Sequence, residues 1–131
     1  MSLGESATPL GQVTGLGSAH DGGGHWLSER VSSAALLLLG TWLFASLLLL
    51  PALDQPTLAE WLRAPSGAVP MALFILFAFK HALDGMKVVV DDYVHDEGNR
   101  LALNTLLLFF AIGAASLALF ALGRIAFGGA A

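Results

Sequence analysis

Two stretches of this chain decide what it can fold into. Residues 31–53 and 101–123 each run 23 positions without Asp, Glu, Lys or Arg. At about 1.5 Å per residue, each makes a helix of roughly 35 Å, enough to cross the roughly 30 Å hydrocarbon core of a bilayer. Inside lipid every backbone N–H and C=O must find a partner within the segment, and for an isolated apolar run that means an α-helix. A third stretch, residues 69–94, has the length without the purity. It is apolar over 71–79, and then polar groups arrive every three or four residues. The sequence therefore reads as an all-α integral membrane protein with three transmembrane helices, spanning about 31–53, 69–94 and 101–124. Composition agrees: 12% of residues are charged, about half the share of a soluble domain.

The flanking segments are simpler. Residues 1–28 are rich in Gly and Ser, without apolar periodicity, and read as a flexible tail ahead of a membrane anchor over 29–131. The tail has no basic stretch before a short apolar one and no Arg-rich amphipathic helix, so neither a secretory signal nor a transit peptide is expected. That points to a bacterial protein. Gly22, Gly23 and Gly24 are not a phosphate loop, because no strand precedes them and no GK[ST] follows. Residues 54–70 are a connector in which Thr57, with Glu60 three residues on, predicts a short interfacial helix. Trp61 is expected at headgroup level. Arg30, Arg100 and Lys87 on one side against Arg63 and Arg124 on the other favour a cytoplasmic N-terminus. The six basic residues form no cluster, which argues against nucleic acid. The absence of cysteine excludes disulfides, thiolate metal sites and iron–sulfur ligation by this chain.

Ionisable groups within membrane-spanning sequence are costly and mark function by default. They concentrate in the second span. On a helix His81, Gly85, Val88 and Asp92 share one face, while Lys80, Asp84 and Lys87 form an adjacent stripe in which Asp84 can pair with either lysine. A neutral imidazole deep in a membrane helix suits an axial position on haem iron, and Gly85 clears room for a flat macrocycle one turn on. A histidine hydrogen-bonded to a neighbouring helix accounts for the same residue. Lys80 or Lys87 can reach haem propionates by snorkelling. Asp92 and Tyr93 lie roughly 16–18 Å further along the axis, at the membrane edge. There a phenol can donate to a quinone carbonyl while a carboxylate handles protons, although on composition alone solvated interfacial side chains are the better reading. His95, fourteen residues from His81, would suit a second haem, but the acids around it place it in water.

The run His81-Ala82-x-x-Gly85-Met86-x-x-Val89-x-x-Asp92-Tyr93-Val94 resembles the second membrane helix of the small hydrophobic membrane-anchor subunit of bacterial succinate dehydrogenase. Gly15-Leu16-Gly17-Ser18-Ala19, then His25-Trp26 and Arg30-Val31-Ser32, are similar to that subunit's entry into its first helix. The chain departs from the common pattern at Ser32-Ser33, where Thr-Ala is frequent, and at Lys80 and Asp84. The resemblance implies half of a heterodimeric membrane-anchor bundle in the bacterial cytoplasmic (inner) membrane. It implies a second membrane-anchor subunit, an iron–sulfur subunit and a flavoprotein subunit as partners. FAD and the iron–sulfur clusters would lie only in those partners. His81 would be an axial ligand of a haem b shared with the second anchor. Tyr93, supported by Asp92, would bind ubiquinone as substrate, and His25 and Arg30 would lie near the quinone pocket or haem propionates. Electrons from succinate oxidation would pass to quinone. The readings that compete with it are a non-redox anchor or assembly subunit, a fumarate reductase anchor and, more remotely, a transporter using the Lys80, Asp84 and Lys87 stripe.

Overall fold

The computed structural model describes residues 22–128. They form α1 (Gly22–Leu49), α2 (Gln55–Arg63), α3 (Pro65–Tyr93) and α4 (Glu97–Phe127), with no strand among the described residues. Three of these, α1, α3 and α4, are long and apolar enough to cross a membrane.

The boundaries follow from local chemistry. α1 stops at Leu49 rather than continuing to residue 53, because Leu50 precedes Pro51 and a residue before proline is pushed out of helical backbone. It begins at Gly22, so the last seven residues of the expected tail are helical. Two contacts fix that early part: the Arg30 guanidinium lies 5.4 Å over the Trp26 ring, and Lys80 donates to Ser28 across to α3. Residues 1–21 lie outside the described residues.

The expected short helix is present as α2, but its cap is Asp54 rather than Thr57. The Asp54 carboxylate accepts from the Thr57 backbone N–H at 3.0 Å. Hydrogen bonding from Thr57, side chain first and then backbone, holds its carboxyl below the ordinary value of 3.8. The cap is therefore intact above that value and is lost as pH falls through the lowered one. Ala64 is extended, ends α2 and starts α3, with Pro65 at the first helical position, where its missing N–H costs nothing. α3 thus begins four residues earlier than expected and carries Pro70 inside it. Asp96 caps α4 by accepting from Asn99 N–H at 2.8 Å.

α3 is the middle of the molecule. α1 packs on one side of it and α4 on the other, the α1 and α4 backbones do not approach each other, and α2 lies against α3 and α4. The three long helices make an open layer rather than a closed bundle. Hence few residues are buried: Ser32, Gly67, Val90 and Leu122 among those described. Large apolar side chains such as Leu37, Phe109 and Phe110 stand about 70% exposed. Lipid and neighbouring helices are the solvent such a surface requires.

Trp61, expected at headgroup level, has a tertiary role. It stacks on Trp42 of α1, with ring centroids 5.6 Å apart and planes 24° from parallel. Gly67, buried in the first turn of α3, lies directly under it: a Cβ there would fall inside the van der Waals shell of the Trp61 carbonyl oxygen. Backbone cannot yield as a side-chain tip can. Gly67→Ala is therefore expected to destabilise the fold by about 1–3 kcal/mol, read as earlier thermal unfolding in detergent, whereas Gly85→Ala meets nothing within 4 Å among the described residues.

Candidate functional site

The ionisable residues of α3 divide between its two neighbours. Toward α1, Ser28 and Ser32 stand one helical turn apart and meet two consecutive residues of α3. Ser28 Oγ accepts from Lys80 Nζ at 2.6 Å. Ser32 Oγ lies 3.0 Å from His81 Nδ1. Ser32 is the most buried side chain described, at 1% exposure. Its hydroxyl also lies 3.0 Å from the Glu29 carbonyl oxygen, and the Ser33 hydroxyl reaches that oxygen at 2.8 Å.

His81 is thus half-buried and held through one ring nitrogen, and its Nε2 has no hydrogen-bond partner among the described residues. A single imidazole does not make a metal site, and no group of three or more metal-binding side chains occurs among the described residues. One imidazole held in this way could instead supply a single ligand to a metal or haem iron. One nitrogen is anchored, the other is open, and the backbone at Gly85 one turn on faces open space.

Of the lysine and aspartate stripe, Lys80 pairs with Asp84. With Ser28 as a second partner, its ammonium is held between α3 and α1. Lys87 has no ion pair or hydrogen bond among the described residues, so it alone of the two lysines is free to reach an anionic group. Ser28, Ser32 and Lys80 also line a cavity of about 320 Å³ between α1 and α3, with Leu27, Val31 and Phe77 supplying apolar walls.

At the far end of α3 the two adjacent aspartates part company, as successive helical residues point about 100° apart. Asp91 turns to α4 and accepts from Asn104 Nδ2 at 3.0 Å. Asp92 and the terminal residue Tyr93 have no hydrogen-bond partner among the described residues, and Tyr93 is 78% exposed. His95 lies beyond the helix and is exposed. Arg30 is exposed and stacked on Trp26. His25 belongs to α1, and its side chain lies outside the described residues.

The structure therefore joins His81 to α1 and leaves Asp92 and Tyr93 free at the end of the same helix. It adds one residue that sequence reading passed over, Asn104, for which a lone amide in an otherwise uncharged span was the available signal. Its carbonyl oxygen is buried without a partner among the described residues. It also gives Ser32, already visible in the sequence, a partner on α3. A serine near the end of an apolar helix bonds its own backbone as readily as a neighbour, and nothing local distinguishes the two.

Residues 5–122 match the family model described as succinate dehydrogenase/fumarate reductase transmembrane subunit. The chain is 31% identical over 121 residues to the succinate dehydrogenase hydrophobic membrane anchor subunit of Paracoccus denitrificans, covering 92% of this chain and 93% of that one. It is 32% identical over 97 residues to the protein of that name from Rickettsia conorii, covering 73% and 77% of the two chains. Against that from Rickettsia bellii it is 33% identical over 78 residues, 60% of this chain, and the match spans 62% of the relative's length, under two thirds. With three candidate spans in one layer and a match over most of its length, the chain belongs to the succinate dehydrogenase/fumarate reductase transmembrane subunit family.

Proposed function

We propose that this chain is the hydrophobic membrane-anchor subunit of a bacterial succinate dehydrogenase. It lies in the cytoplasmic membrane with its N-terminus inside, paired with a second anchor subunit and docked to an iron–sulfur and flavoprotein pair. His81 would hold a haem b together with a residue of the second anchor, and Asp92 and Tyr93 would form part of the ubiquinone site. The observation that carries this reading is the geometry at His81: Nδ1 anchored by Ser32, Nε2 without a partner among the described residues. A histidine that served only to bridge helices would be satisfied by the first contact alone, and nothing would call for an open second nitrogen beside Gly85.

Haem, when bound, supplies a one-electron store near the quinone. The chain's own residues do the rest. His81 holds position and orientation through α1. Tyr93, at the end of α3, directs a phenolic O–H outward, where it can donate to a quinone carbonyl oxygen. Asp92, one residue back and without a partner, can carry protons to the reduced oxygen. Conversion of a quinone to a quinol takes two electrons and two protons; the electrons originate in the partner subunits and the protons enter at this aqueous edge. The open layer supports the need for a second anchor, since Gly85, one turn after His81 on α3, faces open space among the described residues.

Purification of the chain from its native membrane, followed by mass spectrometry, is expected to recover a second anchor, an iron–sulfur protein and a flavoprotein. A dithionite-reduced minus oxidised spectrum of that complex is expected to show b-type bands. A complex with these partners and no haem bands would reduce the chain to a non-redox anchor. The family description includes fumarate reductase; a quinol-to-fumarate rate exceeding the succinate-to-quinone rate would assign that direction instead.

A further inference from the structure

The most buried side chain in this open, lipid-facing layer is a serine. A hydroxyl at 1% exposure is kept only when its hydrogen bonds are made. Ser32 Oγ has two groups within 3.0 Å, the Glu29 carbonyl oxygen on its own helix and His81 Nδ1 on α3. It carries one proton, so it can donate to only one of them. If that proton goes to His81 Nδ1, the imidazole carries its own proton on Nε2. That N–H then has no acceptor among the described residues, and an N–H without an acceptor in a low-dielectric layer is costly. If it goes to Glu29, Ser32 accepts from His81 Nδ1–H, and the lone pair is on Nε2, on the side left open. Only the second arrangement leaves a nitrogen able to bind metal.

We infer that Ser32 is the positioning residue that sets the tautomer and ring orientation of His81, through a relay of His81 Nδ1–H to Ser32 Oγ and Ser32 O–H to the Glu29 carbonyl. This rests on the proposal that His81 ligates haem, and it adds the residue that makes His81 competent to do so. The chemistry has a direction. A ligating imidazole that donates through Nδ1 is a stronger electron donor to iron and favours the ferric state. Loss of the acceptor weakens the ligand and favours the ferrous state. Ser33 is the internal control. It sits one residue on, is exposed, and bonds only the Glu29 carbonyl. Ser28 holds Lys80 one turn earlier, so α1 and α3 retain a tie when Ser32 is changed.

The test uses the whole complex carrying Ser32→Ala, Ser32→Thr and Ser33→Ala. Haem affinity is read by transfer to excess apomyoglobin and midpoint potential by spectroscopic redox titration. Ser32→Ala is expected to assemble with its partners, to lose haem affinity by about 10–100-fold, and to show an upward shift of potential. Ser32→Thr restores both because it keeps the hydroxyl, and Ser33→Ala behaves as the parent. An unchanged potential and affinity in Ser32→Ala overturns the inference, as does an equal effect in Ser33→Ala, which would make the change one of helix packing. A second readout does not depend on haem. In complex labelled with ¹⁵N-histidine and produced in a host unable to make haem, the His81 nitrogens should report the Nδ1–H tautomer, and Ser32→Ala should shift it toward a mixture. The Nε2–H tautomer in the parent would overturn the inference. If instead the haem-competent parent binds no haem, the ligand proposal fails, and the tautomer signal still decides the role of Ser32.

Discussion

Replacing His81 by Ala is expected to abolish the b-type haem bands of the complex while the flavoprotein and iron–sulfur subunits remain attached. The magnitude follows from what the residue would supply. An axial imidazole is a direct bond to iron, and no other histidine on α3 can stand in for it, since His95 lies beyond the end of that helix. The substitution also removes the partner of a fully buried hydroxyl, but that hydroxyl keeps the Glu29 carbonyl, so the local cost to folding is about 1 kcal/mol. Loss of haem with retention of the assembled complex is thus the expected pairing. An unchanged reduced-minus-oxidised spectrum in His81→Ala would falsify the ligand assignment, whatever its effect on activity.

The second large effect is expected at Tyr93. Tyr93→Phe deletes one hydroxyl from a side chain that is 78% exposed and unpartnered among the described residues, so it should not disturb the fold. If the phenol donates to a quinone carbonyl, the succinate-to-quinone rate should fall on the order of 10²-fold. Succinate oxidation by a soluble artificial acceptor, which bypasses the quinone site, should persist. Asp92→Asn is expected to fall in the same assay. Asp91→Asn is the contrast: Asp91 is already engaged with Asn104, and its replacement should act on the packing of α3 against α4. Equal loss with both acceptors in Tyr93→Phe would mean failed assembly and remove Tyr93 from the quinone site.

Several of these features could be read without coordinates, and the reason differs from one to the next. The spans over residues 31–53 and 101–123 declared themselves because backbone hydrogen bonding in lipid permits little else. The mixed span was legible as a helix only when its polar residues were placed by angle, which put His81, Gly85 and Asp92 on one face. The helix ends were less legible. α2 took Asp54 as its cap where Thr57 was expected, because a carboxylate three residues before a free N–H competes well with a hydroxyl. α1 began at Gly22 because Trp26 and Ser28 find Arg30 and Lys80, contacts that composition does not reveal. Trp61, expected at headgroup level, meets Trp42, nineteen positions away.

The sequence by itself determined that this chain enters a membrane as three helices, that the middle one carries the ionisable groups, and that His81 and Asp92 share a face. Each of these is a local consequence of hydropathy and helical period. Only the tertiary structure decided that α3 lies between α1 and α4, that Asp91 turns to Asn104 while Asp92 stays free, and that a buried Ser32 meets Nδ1 of His81. Those depend on which helices adjoin. In an apolar span hydrophobicity does not rank one face above another, because lipid is as apolar as a neighbouring helix. Close packing and a few interhelical hydrogen bonds make the choice, and they exist only once the helices have met.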